Sequence, residues 1–266
     1  MGAAAIFGLI FLVAAVPVFD ADLWWHLFTG AHIVASGSVP SSDLMSFTYH
    51  GRPWVDHEWL SEVMLFSVYR IAGLQLVVGL FGLVIAGAFF VMYLTMRLRS
   101  VNPLLALVLT AALASTSIGT WGPRVQMISL LFTAIFCYLL ERYRLSGRRS
   151  LLVPLPLLML LWCNLHGGFA IGLAVMLLYA LGGMLERVLE RDRLRSAIGA
   201  ERPLVVALAA AIVVSFVNPN GLRTVLYPLS FLTPNAFTNS IQESQSPNFH
   251  LTGMLPFEAL LLMLLA

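Results

Sequence analysis

The chain has 266 residues, 59% of them hydrophobic and only 11% charged, with a mean hydropathy of +0.89. A soluble domain carries about 25% charged residues, so this composition leaves too little polar surface to face water and points to a bilayer. The formal net charge of +2 is too small to argue for nucleic acid as a partner.

A spanning helix needs roughly 20 apolar residues. The first 19 residues carry no charge, and the basic start of a cleavable signal peptide is missing. Residues 3–19 therefore read as the first transmembrane helix. A polar, Trp-rich segment covers about 20–70. Further spans are expected over about 72–96, 103–119, 126–141, 150–165, 168–186 and 203–217, and a second polar segment over 218–253. The last apolar run, about 255–266, is shorter than the roughly 17–25 residues that cross a bilayer. It reads as an eighth helix cut short, or as a sign that the chain is the N-terminal part of a longer protein. The expected fold is all-α, with one transmembrane domain over 1–266. It is a polytopic membrane helix bundle of about seven or eight spans whose long first outer loop carries amphipathic interfacial helices. Cys137 and Cys163 sit inside apolar runs without metal-ligand spacing and read as buried free thiols.

Orientation follows from the basic residues, all of which are arginine. Arg97 and Arg99, then Arg142, Arg144, Arg148 and Arg149, then Arg187, Arg191, Arg193, Arg195 and Arg202 occupy alternate connections. The positive-inside rule puts these connections in the cytoplasm. The N-terminus is then cytoplasmic, and the two long polar segments lie outside a plasma (inner) membrane. All six His and all six Trp fall on that outer side. Interfacial Trp belts form at both faces of a membrane, so a one-sided cluster needs another reason. The cytoplasmic connections read as anchors and the outer ones as a site.

The first outer segment opens with Asp20-Ala-Asp22-Leu-Trp-Trp-His26. If it is helical, Asp22, Trp25, His26 and Thr29 share a face, and the helix stops near Gly30 or Gly37. A carboxylate and an imidazole one turn apart can share a proton or ligate a metal; the bland alternative is interfacial capping. Arg52, Trp54, Asp56, His57, Glu58 and Glu62 follow. Asp56 reads as an N-cap. Glu58 and Glu62 share the acidic face of an interfacial helix whose apolar face meets lipid. Arg52 suits an acidic neighbour or an anionic group. In the other outer connections, Arg124 of Trp121-Gly-Pro-Arg124 could balance carboxylates or hold a phosphate. Asn164 and His166 of Asn164-Leu-His166-Gly-Gly168 must lie at the membrane surface. Arg223 follows the turn at Asn218-Pro-Asn-Gly221, and Glu243 and His250 come later.

The string DADLWWHLFTGAHIVASGSVPSSDLMSFTYHGRPWVDHEWLSE, together with NLHGGF, NPNGLR and the stretch from Glu243 to His250, resembles a bacterial family of GT-C-type membrane proteins. The layout of a first helix, a long outer loop opening on acidic residues, and a return into the membrane resembles the GT-C glycosyltransferase superfamily. That resemblance implies transfer of a sugar from a polyprenyl-phosphate-linked donor on the non-cytoplasmic face. It implies that Asp20 or Asp22 acts as base or helps hold a divalent metal, with Asp56 and Glu58 as a second carboxylate pair. Arg124 and Arg223 would serve the donor phosphate. Asp22 and Glu58 are the expected metal ligands, and His26, His57 and Glu58 surround the base. Full GT-C enzymes usually have more helices, and the His- and Trp-rich loop is not general among them. Beyond lipid bilayer and donor, no protein partner is implied. Two other readings stay open: a transporter or flippase for lipid-linked or anionic substrates, and a non-catalytic membrane scaffold.

Overall fold

The computed structural model describes residues 2–16, 21–190, 194–232 and 246–265. Among these the regular structure is helical, with no strand beyond one isolated bridge between Ser42 and Pro53. Ten α-helices follow in chain order: α1 Gly2–Ala14, α2 Asp22–Ser36, α3 Trp59–Leu98, α4 Pro103–Ser117, α5 Gln126–Ser146, α6 Pro154–Leu165, α7 Phe169–Leu189, α8 Leu194–Val214, α9 Leu222–Leu226 and α10 Leu255–Leu265.

Among the described residues three stretches are long and apolar enough to cross a membrane: Trp59–Leu98, Pro103–Thr120 and Phe169–Leu189. The apolar helices α1, α6 and α10 are shorter. Large apolar side chains cover the outside of the bundle, among them Leu12, Leu83, Leu104, Leu157, Leu178 and Val206. Such a surface is stable against hydrocarbon and unfavourable against water.

Several boundaries differ from those read in the sequence. Within α3 the interfacial helix and the second span are two helical stretches separated by non-helical backbone at Ala72, with φ −147°, and Gly73, with φ +67°. The left-handed φ at Gly73 is open to glycine at little steric cost, so the direction changes there without a loop. Helix α8 begins at Leu194 rather than near 203, and Pro203 lies inside it. The apolar run begins only after Glu201-Arg202, which is why hydropathy reads a start near 203. Helix α2 passes through Gly30 and ends at Gly37, whose φ of +69° closes the C-terminus. Asp56 does not cap α3: the residue before the helix is Glu58, and Asp56 Oδ1 instead accepts from the Glu58 N–H at 3.3 Å.

The core runs along α3, which packs on α1, α2 and α5, while α7 and α6 pack on α8. Trp162 is fully buried, with the rings of Phe132 and Phe136 of α5 each 5.3 Å away. Cys137 and Cys163 are both free thiols, half-buried and buried.

Candidate functional site

Helix α2 buries Leu23, His26, Leu27, Thr29, Gly30 and Ile33, a stripe at helical spacing laid against the start of α3. At Gly30 the two backbones nearly touch: a Cβ there would lie 2.1 Å from the Glu62 carbonyl oxygen. This close approach sets His26 of α2 beside two carboxylates. His26 Nδ1 is 3.3 Å from Glu62 Oε1, and His26 Nε2 is 3.6 Å from Glu58 Oε2.

Glu58 is the hub of the site. Its other oxygen, Oε1, lies 3.4 Å from His57 Nε2 and 3.3 Å from His166 Nε2. Three imidazoles from three parts of the chain thus converge on one buried carboxylate. Burial alone would raise the Glu58 pKa, but hydrogen bonding from His57 and the charges of the imidazoles bring it below the ordinary value. For His57, burial opposes the charged ring, yet the Glu58 carboxylate outweighs it and raises the pKa. His166 goes the other way. Burial, partly offset by Glu58, lowers it to about 4. Its Nδ1 accepts from the Gly168 N–H at 2.9 Å and sits 2.7 Å from Ser129 Oγ. An accepting Nδ1 fixes the neutral tautomer whose Nε2–H points at Glu58. Ser129 Oγ in turn accepts from Trp162 Nε1 at 2.8 Å.

The supporting contacts come from the other connections. The His57 ring lies 4.0 Å from the Tyr227 ring, tilted by 31°. Asn220 Nδ2 donates to the Asp56 carbonyl at 2.8 Å. Ser61 Oγ donates to the Leu165 carbonyl at 2.6 Å, and Trp59 Nε1 donates to Asn164 Oδ1 at 2.8 Å. Burial raises Asp56 to about 6, partly countered by hydrogen bonds from its neighbours. Its Oδ2 and Glu62 Oε2 are buried without a donor.

Beside this cluster opens a mostly apolar groove of about 580 Å³, lined by Trp59, Leu160, Leu161, Asn164, Phe216 and Val217 among others. Trp59, the residue after Glu58, and Asn164, two before His166, both line it and are hydrogen-bonded to each other, whereas the carboxylates and imidazoles of the cluster are not among its lining residues.

The structure gathers His26, Asp56, His57, Glu58, Glu62, Asn164 and His166 of the sequence-derived candidates. Of the other described candidates it brings in none. Asp22 is exposed at the first turn of α2, and Arg52 is exposed with its guanidinium 5.7 Å from the Tyr49 ring centroid. Trp54 is half-buried with its ring 6.0 Å from that of Trp25. Arg124 is half-buried just before α5, while Arg223 and His250 are exposed. Asp20 and Glu243 lie outside the described residues. The acidic face of Glu58 and Glu62 packs on α2 instead of lining an open cavity.

A divalent metal does not fit Asp22 and Glu58 as the sequence suggested. Both Glu58 oxygens face imidazole nitrogens, Asp22 stands exposed, and among the described residues no three His, Cys, Asp or Glu side chains form a metal-holding group. Sequence reasoning missed Ser129, Ser61, Asn220 and Tyr227. A lone serine in the apolar run of α5 was the available signal for Ser129, because polar groups in such runs are costly unless used.

No family model matches the chain, and neither a curated protein nor a solved structure shows significant similarity to it.

Proposed function

We propose that the chain is the membrane-embedded part of a GT-C-type glycosyltransferase. It would transfer a sugar from a polyprenyl-phosphate-linked donor to an acceptor at the non-cytoplasmic face of a plasma membrane. In this reading the helices form a bundle of seven or eight spans, oriented by the arginine-rich connections with the N-terminus in the cytoplasm. The observation that carries it is Glu58 held among three imidazoles, with the next residue, Trp59, lining an apolar groove.

The chemistry asks for three things. The acceptor hydroxyl needs a base, and Glu58 is the carboxylate kept ionised by its surroundings. The leaving polyprenyl phosphate needs its developing charge stabilised. His57, whose proton is favoured by Glu58, is the nearest cationic group, with Arg124 and Arg223 as further candidates on the same side. The prenyl chain needs apolar wall, which the groove supplies. The acceptor oxygen attacks the anomeric carbon, the bond from that carbon to the phosphate oxygen breaks, and the acceptor proton passes to Glu58.

The test is transfer from a polyprenyl-phosphate sugar by the purified chain in proteoliposomes. Glu58→Gln should lower the rate by about 10²–10⁴-fold, the usual contribution of a positioned general base, with folding retained. A Glu58→Gln protein that transfers at the wild-type rate refutes the assignment.

A further inference from the structure

The transferase chemistry leaves two buried carboxyls of the cluster without a role. Asp56 Oδ2 and Glu62 Oε2 are each buried and without a donor, although the two carboxyls lie within hydrogen-bonding reach of one another. Two ionised carboxylates so placed would repel in a low-dielectric site and leave both oxygens orphaned. One proton between them satisfies both oxygens and removes the repulsion.

The neighbours are consistent with a single added proton. From α2, His26 Nδ1 meets the other Glu62 oxygen at 3.3 Å. The segment before α3 supplies Asp56, His57 and Glu58, the turn after α6 supplies His166, and Tyr227 follows α9. Asn220 is occupied by the Asp56 carbonyl. His26 then bridges to Glu58 Oε2 through Nε2 at 3.6 Å. Glu58 Oε1 in turn meets His57 and His166, which are 16% exposed and form the open flank. An imidazole can accept a proton at one nitrogen while releasing one from the other. The contacts therefore lead from the buried pair to the open flank, with the longest step, 3.6 Å, between His26 and Glu58.

We propose that Asp56 and Glu62 share one proton, and that His26 passes protons between this pair and Glu58, so that the pair takes up the proton Glu58 removes from the acceptor. The last clause rests on the transferase reading; the shared proton and its path do not. The step balances. The acceptor O–H bond breaks and its proton goes to Glu58. His26 takes that proton at Nε2 and releases one from Nδ1 to Glu62. The pair goes from one proton to two, and its charge from −1 to 0. Return along the same path restores it.

Infrared spectroscopy of the full chain in lipid nanodiscs reads this directly. At neutral pH a protonated-carboxyl C=O band is expected that moves in D₂O and on ¹³C labelling of both Asp and Glu carboxyls. Glu62→Gln should remove it, because the introduced amide donates to Asp56 and lets it ionise. Asp56→Asn should shift it, because Glu62 then keeps its proton beside an amide. A spectrum without such a band, or one in which both variants leave the band unchanged, overturns the shared proton. Failure of either variant to fold leaves the labelled wild type to decide. The path is read by mixing with D₂O: His26→Phe should abolish the rapid exchange of this band. Exchange as fast as in the wild type overturns the route through His26. Neither readout needs donor or acceptor, so a chain with the band but no transfer refutes only the transferase reading.

Discussion

Glu58 Oε1 lies 3.3 Å from Nε2 of His166, while Nδ1 of the same ring accepts from the Gly168 N–H at 2.9 Å. The ring is thus held neutral, and its pKa stands at about 4 against an ordinary 6.5. As pH falls below about 6.5, the unfolded chain takes up a proton here that the folded chain refuses until about pH 4. Stability is withdrawn across that window, by up to about 3 kcal/mol. His57 acts in the opposite sense. Its raised pKa gives stability that is fully present below the ordinary value and lost as pH rises through the folded one. The lowered Glu58 pKa gives stability present above its ordinary value of 4.5 and lost as pH falls through the folded one. Asp56, raised to about 6, acts against this and gains stability as pH falls through that value, so the His166 part is read as a difference: from pH 6.5 to 4 the thermal midpoint of the purified chain should fall relative to that of His166→Gln. A midpoint curve identical in the two proteins contradicts a neutral, buried His166.

The contact at Gly30 makes a second expectation. A methyl group there would meet the Glu62 carbonyl oxygen at 2.1 Å and Phe66 Cβ at 2.9 Å. Backbone cannot yield as a side-chain tip does, so α2 must move off α3. Overpacking of this kind costs about 1–3 kcal/mol or more. Gly30→Ala should lower the thermal midpoint and weaken transfer by drawing His26 away from Glu58 and Glu62. Gly8→Ala is the control, because nothing lies within 4 Å of its Cβ. Helix propensity there favours Ala by about 1 kcal/mol. Equal midpoints for the two variants would show that the α2–α3 contact is not tight.

Much of this arrangement was legible from residue type and position. The helical class followed from hydropathy, whereas of the six His grouped together in the sequence it is His26, His57 and His166 that meet at Glu58. What pattern could not supply was direction. Asp22 and His26 stand one turn apart, yet α2 rotates His26 into the α3 contact and leaves Asp22 exposed. The decisive residue is Gly30, which in sequence reads equally well as a helix end. The arginine-rich connections were legible only as anchors, because the buried partners Glu141 and Glu201 lie far along the chain from Arg99 and Arg144. Spacing in one helix carries no information about such long-range pairs.

Asn164 ties three connections together. It accepts from Trp59 Nε1 at 2.8 Å through Oδ1 and donates to the Val217 carbonyl at 3.0 Å through Nδ2. Asn164→Leu keeps the volume close but leaves the half-buried Trp59 indole N–H and the carbonyl of exposed Val217 without this partner, a loss below the about 1–3 kcal/mol of a fully buried unpaired group. Because both partners line the groove, the KM for the lipid-linked donor should rise more than kcat falls. Steady-state kinetics in proteoliposomes measure the split. A fall confined to kcat would place Asn164 with the base instead of the groove.

The opposite end of the bundle carries a second polar knot, with a structural consequence. Arg144 Nη1 donates to Glu201 Oε1 at 2.7 Å, and Arg187 Nε stands 3.6 Å from the same oxygen. Arg144 also donates to the Tyr179 carbonyl. Its guanidinium fills the space left by Gly183, where a Cβ would lie 1.7 Å from Nη2. One arginine thus joins α5, α7 and α8. Glu201 is 1% exposed, so removing it leaves Arg144 partly buried without its carboxylate, a loss of about 3–5 kcal/mol for a buried pair. Glu201→Leu should destabilise strongly. Arg144→Met combined with Glu201→Leu should recover much of the loss, because apolar replacement of a whole buried pair is often neutral or better. A double-mutant cycle on thermal unfolding measures the coupling. If the two losses simply add, Arg144 and Glu201 do not act as a pair, and the three helices are held by apolar packing alone.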